Sequence, residues 1–220
     1  MSETTYTQLL QLSAGLLLLC AVLIVWRRSL GAHIRLLAVQ GWALAGLVAV
    51  LGLHEHSAEL LWVSVLVATL KGVVLPAVLA RATASDRTRA REETPLINTT
   101  AALLAVSFLT MLAYLVSRPV LALGSTAAVA AVPVGMAMAL FGFLVLSTRR
   151  HAVSQLIGFL LLDNGIATVA FLTAGGVPLV VELGVSLDVL LVVLILRVLT
   201  SRIRTEYGDA DLDDMTELRD

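Results

Sequence analysis

Apolar residues run along this chain in blocks of about 20, the length a helix needs to cross the hydrocarbon core of a bilayer. Seven blocks are predicted as spanning helices, over residues 9–26, 36–53, 60–80, 100–116, 127–147, 152–174 and 178–200. The connections are short and hold the turn residues and most charges. Only a backbone that satisfies its own hydrogen bonds can cross lipid, so these blocks read as helices. Arg27 and Arg28 follow the first block instead of preceding it, and no small-residue cleavage site closes it. It therefore reads as a span and not as a removed signal peptide.

Composition supports the pattern. Of the 220 residues, 59% are hydrophobic and 14% charged, with a mean hydropathy of +0.95. Soluble domains carry roughly 25% charge and 45–50% apolar residues. A soluble single-domain enzyme and a long disordered chain are both excluded. Net charge is −1, which leaves no groove-sized basic surface, so nucleic acid is not an expected partner. Cys20 is the single cysteine, which excludes an intramolecular disulfide and any cysteine-built zinc or iron–sulfur site in this chain. The expected fold is all-α: one polytopic membrane domain of seven transmembrane helices.

The distribution of charge sets the expected orientation. Arg27, Arg28, Arg35, Arg81, Arg87, Arg89, Arg91, Arg149, Arg150, Arg202, Arg204 and Arg219 all fall on one face if seven spans are threaded. They are twelve of the fifteen Lys and Arg residues, and the opposite face has Arg118 alone. The positive-inside rule then places the N-terminus outside and the C-terminus in the cytoplasm. Small residues mark packing seams: Gly135, Ala139 and Gly142 share one helix face, and Gly41, Ala45 and Ala49 share another. Pro76 and Pro133 fall inside spans and predict kinks.

Five ionisable residues lie within the predicted spans: Lys71, Asp163, Glu182, Asp188 and Arg197. Each costs about 2.5–3.5 kcal/mol at a bilayer centre on insertion scales, so such groups face protein or water. Arg197 is close enough to the cytoplasmic end to snorkel. Helical rise puts Asp163 roughly 20 Å from Arg150, and Lys71 about 15 Å from Arg81, both near the midplane. Glu182 and Asp188 fall in the middle or outer part of the last span. Asp188 projects about 120° away from Glu182, while Ser186 shares the Glu182 face. Asn164 and Thr168 share a face beside Asp163. Two readings of these acids and one lysine stay open: a proton relay, or static salt bridges that tie helices or subunits together.

His54, Glu55, His56 and Glu59 cluster in the loop between the second and third blocks, where a solvated turn is expected in preference to a zinc site. All four histidines are expected outside the apolar cores, which argues against a haem anchored within the spans. Arg87, Arg89 and Arg91 read as a topology signal that also attracts anionic lipid. Leu212, Met215 and Leu218 interleave an acidic tail and allow a short docking helix.

The segment RRHAVSQLIGFLLLDNG, followed by PLVVELGVSLDVLLVVLI, resembles hydrogenase-4 component E, a membrane subunit of formate hydrogenlyase-type, group 4 nickel–iron hydrogenase complexes. The residues that carry the likeness are Arg149-Arg150, Asp163-Asn164-Gly165, and Val181-Glu182-Leu183-Gly184 with Asp188. TLKGVVLPAVL, with Lys71 and Pro76, and the tail LDDMTELR also resemble the family. The family usually has Glu where Asp163 stands. The last three helices are similar to the K subunit of respiratory complex I, whose two intramembrane glutamates would correspond to Asp163 and Glu182. The resemblance divides the chain into a family-specific four-helix part (1–120), a three-helix K-subunit-like part (121–205) and an acidic cytoplasmic tail (206–220).

The resemblance implies a non-catalytic plasma-membrane subunit that anchors a peripheral arm. Its partners would be other membrane-arm subunits and cytoplasmic hydrogenase-like subunits. The nickel–iron and iron–sulfur centres would sit on those partners, with no cofactor or metal in this chain. Asp163, Glu182, Asp188 and Lys71 become candidates for a proton path. The alternatives are a K-type subunit of a multi-subunit cation/proton antiporter, a small transporter, or a purely structural scaffold. Such an antiporter subunit would leave the first four helices unexplained, and no repeat between halves suggests a transporter.

Overall fold

The computed structural model describes residues 1–84, 98–124, 126–149 and 152–174. Among them every regular element is helical: α1 (Glu3–Trp26), α2 (Leu30–Glu55), α3 (Ala58–Thr69), a π-helical turn (Leu70–Val74), α4 (Leu75–Ala84), α5 (Thr99–Val116), α6 (Arg118–Leu123), α7 (Ala127–Thr148) and α8 (Ala152–Ala174). Six continuous helical stretches of 21 to 26 residues are long and apolar enough to cross a membrane. The chain is an all-α polytopic membrane protein. The first six predicted blocks each coincide with one of these stretches. The seventh, with Glu182, Asp188 and Arg197, lies outside the described residues.

Helix starts follow local chemistry. The Ser2, Ser57 and Thr126 hydroxyls and the Asn98 carboxamide oxygen each accept a backbone N–H from the first turn that follows. Those N–H groups have no intrahelical partner, so the caps satisfy them. α2 ends at His56, in the left-handed region at φ 54°. α5 stops at Ser117, and Pro119 helps to start the short α6 at a position where its missing N–H costs nothing.

The third span carries an irregular turn. Ahead of Pro76, where a kink is predicted, the structure widens one turn of the helix. Proline offers no N–H, and its ring crowds the carbonyl four residues back. Here the Leu75 N–H bonds to the Leu70 carbonyl, one residue further than in an α-helix. The extra residue re-aims Lys71 and Gly72 towards the protein interior, where both are buried. α7, by contrast, runs as a continuous helix through Pro133.

α7 packs lengthwise on α8 and also touches α1 and α5, while α2 contacts α1, α3, the π-turn and α8. The predicted small-residue seam lies at the α7–α8 contact. A Cβ on Gly135 would stand 2.9 Å from the Val169 nitrogen and 3.0 Å from the Gly165 carbonyl oxygen. In lipid such close backbone approach supplies the packing energy that the hydrophobic effect cannot. α5 carries the most open apolar face, with Leu104, Phe108, Met111 and Leu115 exposed.

Candidate functional site

The polar side chains buried at mid-bundle form one connected layer. Lys71 is delivered by the π-turn and Asp163 by the middle of α8. Their Nζ and Oδ2 atoms are 2.8 Å apart, and the two residues are 5% and 7% exposed. Next to Asp163, the buried Asn164 donates its Nδ2–H to Gln40 Oε1 on α2, at 3.0 Å. Gln40 is fully buried and donates its own Nε2–H to the Leu17 carbonyl of α1, at 3.3 Å. Thr168, one turn along α8, donates to the Asn164 carbonyl at 2.7 Å. The layer thus ties the first, second, third and sixth spans at about half their length.

Backbone packing holds Lys71 in place. The Gly41 Cα faces the Lys71 carbonyl so closely that a Cβ there would stand 2.5 Å from the carbonyl oxygen. The Trp42 indole covers Gly72, within 3.2 Å of where a Cβ would sit. A cavity of about 20 Å³ opens beside the ion pair, bordered by Leu37, Leu75, Pro76, Leu160, Lys71 and Asp163. Space for one water needs about 10–15 Å³, which the cavity offers. In so dry a setting an ammonium and a carboxylate stabilise each other's charge strongly, and either one alone is costly.

Two of the four predicted site residues, Lys71 and Asp163, are therefore brought into contact. Glu182 and Asp188 lie outside the described residues. Asn164 and Thr168 belong to the layer. Gln155 does not: it donates to the Arg149 carbonyl at the end of the bundle, at 3.2 Å. Gln40 was missed because it carries no charge, although an uncharged amide in an apolar run also needs partners.

Two of the histidines depart from expectation, while His56 is exposed as expected. His54 stacks on Tyr6 with ring centroids 3.8 Å apart, and its Nε2 lies 3.7 Å from Glu3 Oε1. It returns onto α1 instead of standing in an open turn. His33, expected at the surface, is 2% exposed, and its Nε2–H donates to the Arg27 carbonyl at 2.9 Å. Among the described residues no three His, Cys, Asp or Glu side chains group as metal ligands.

Over all 220 residues, and over the full length of the other chain, the protein is 48% identical to the uncharacterized protein Rv0085 of Mycobacterium tuberculosis. It is 25% identical over 206 residues to hydrogenase-4 component E of Escherichia coli K12, covering 94% of this chain and 95% of that one. The hydrogenase-4 component E of Shigella flexneri gives the same figures. No family model matches, and no solved structure matches.

Proposed function

The chain belongs to the family of the mycobacterial protein Rv0085, and from that premise, joined to its weaker end-to-end likeness to hydrogenase-4 component E, we propose that it is an integral membrane subunit of a hydrogenase-4-like, complex I-related oxidoreductase complex. In this reading it crosses the plasma membrane seven times, with its N-terminus outside and its C-terminus in the cytoplasm. It performs no redox chemistry itself. Its arginine-bearing cytoplasmic face anchors a peripheral arm that carries the metal centres.

Lys71, Asp163, Glu182 and Asp188 then form this subunit's share of a lateral proton path. The observation that carries the reading is the 2.8 Å contact between Lys71 and Asp163. It joins two of the segments that resemble the hydrogenase family, 92 residues apart in sequence. A buried carboxylate's proton affinity depends steeply on the charges and hydration beside it. Redox chemistry in the peripheral arm that shifts either one would load or unload Asp163, with the adjoining cavity as the point of water entry.

The subunit assignment is tested by solubilising native membranes gently, purifying through a tag on this chain, and identifying what accompanies it. The expected result is a large assembly that includes nickel–iron hydrogenase-like and iron–sulfur subunits. Recovery of the chain alone, or with antiporter-type subunits and no redox partner, would overturn the assignment.

A further inference from the structure

A second polar feature lies at the end of the bundle where α1, α5 and α7 meet. Trp26, Arg28, Thr99, Thr148 and Arg149 line a shallow depression whose enclosed part is about 10 Å³. Arg149 is 7% exposed, and its Nη2–H donates to the Arg27 carbonyl at 3.2 Å. That carbonyl also accepts the His33 bond, so the turn after α1 is fixed from two sides. Arg28 in turn reaches across to α5 and donates to the Thr99 hydroxyl at 2.8 Å. Arg27 lies over the Trp26 ring, 5.4 Å from its centroid.

Among the described residues no carboxylate lies at this end of the bundle. The described carboxylates are Glu3, Glu55, Glu59 and Asp163. The first three belong to the opposite ends of α1, α2 and α3, and Asp163 to the middle of α8. Among the described residues Arg28 meets a neutral hydroxyl and no carboxylate. Guanidinium forks match oxyanions. The Thr99 hydroxyl accepts from Arg28 and keeps its own proton to donate, while the Thr148 hydroxyl gives its proton to the Leu144 carbonyl at 2.6 Å. The enclosed space admits only the tip of a ligand. Beyond it the bordering helices expose Trp26 and Leu19 on α1 and Leu104 and Phe108 on α5, an apolar surface suited to acyl chains. Trp26 ends the first span beside Arg27 and Arg28, a position where interfacial tryptophans are common.

We propose that this depression binds the phosphate of an anionic phospholipid, with Arg28 as the principal contact, Arg149 and the Thr99 hydroxyl completing the cradle, and the lipid tails lying along α1 and α5. The site is separate from the mid-bundle layer and stands whether or not that layer moves protons.

The test uses the full chain with Trp42→Phe and Trp62→Phe, which leaves Trp26 as the only tryptophan. The chain is placed in vesicles containing brominated phosphatidylglycerol or brominated phosphatidylcholine, and Trp26 quenching is read. Phosphatidylglycerol is expected to associate preferentially. Arg28→Gln should reduce that preference about fivefold, the effect of one arginine at an anionic surface. Arg35→Gln, which removes an exposed arginine of α2 outside the depression, should leave it unchanged. Equal quenching by both lipids, or equal loss in the two variants, would overturn the proposal. Loss of the preference on adding inorganic phosphate would also overturn it, because the site would then take a free oxyanion.

Discussion

Lys71 Nζ and Asp163 Oδ2 lie 2.8 Å apart inside the protein, joining a π-turn in the third span to the middle of the sixth. Truncating one partner strands the other charge away from water. Lys71→Met alone is expected to destabilise the folded chain by about 3–5 kcal/mol. Lys71→Met combined with Asp163→Leu should cost clearly less than the two single changes together, because neither charge is left behind. Reversible unfolding of the four species in mixed micelles measures the coupling. Additive losses would mean that the two groups do not pair in the membrane.

Half of this relationship was legible in the sequence. Helical rise put both residues near the midplane, and the cost of charge in lipid demanded partners. Which partner each would take was not legible, because pairing depends on how spans pack. The π-turn also escaped. Pro76 signalled a disturbance, but whether the helix bends or gains a residue depends on neighbours such as Gly41 and Trp42. The small-residue rule found the α7 face that meets α8, since it needs only spacing along one helix. It did not supply the partner face, to which Gly158 and Gly165 contribute. His54 was read as solvated because its stacking partner, Tyr6, comes from another helix.

Gly41 should tolerate no side chain. A Cβ there meets the Lys71 carbonyl and lies 2.7 Å from the Gly72 nitrogen, backbone atoms that cannot swing aside. Gly41→Ala is expected to cost about 1–3 kcal/mol by overpacking. Gly15→Ala, with nothing within 4 Å of its added methyl, should be neutral or slightly stabilising in the same helical bundle. Unfolding of both variants in micelles checks this. Equal behaviour would contradict the close approach of α2 to the π-turn.

Gln40→Leu keeps the volume and removes two hydrogen bonds, leaving the Asn164 amide without its α2 acceptor. The expected loss is about 1–3 kcal/mol, the cost of an unsatisfied buried polar group. Thermal unfolding beside Gln155→Leu, at an exposed position near the end of the bundle, gives the comparison. A loss no larger than that of Gln155→Leu would remove Gln40 from the layer.

The outermost pair should matter little. Glu3 is 82% exposed, and its 3.7 Å approach to His54 is made in solvent. Glu3→Gln is expected to change stability by less than about 1 kcal/mol, with any effect fading as salt is raised. A larger, salt-independent loss would show that the N-terminal contact is a structural anchor.

The central claim is that Asp163 titrates during turnover. Its most direct test is proton uptake by inverted membrane vesicles carrying the assembled complex with Asp163→Asn, measured beside redox turnover in the same sample. Protons moved per electron should fall while electron transfer continues, and Asp163→Glu should restore the ratio. An unchanged ratio in Asp163→Asn at the unmodified rate of electron transfer would contradict the claim and leave the Lys71 pair as a static tie between helices.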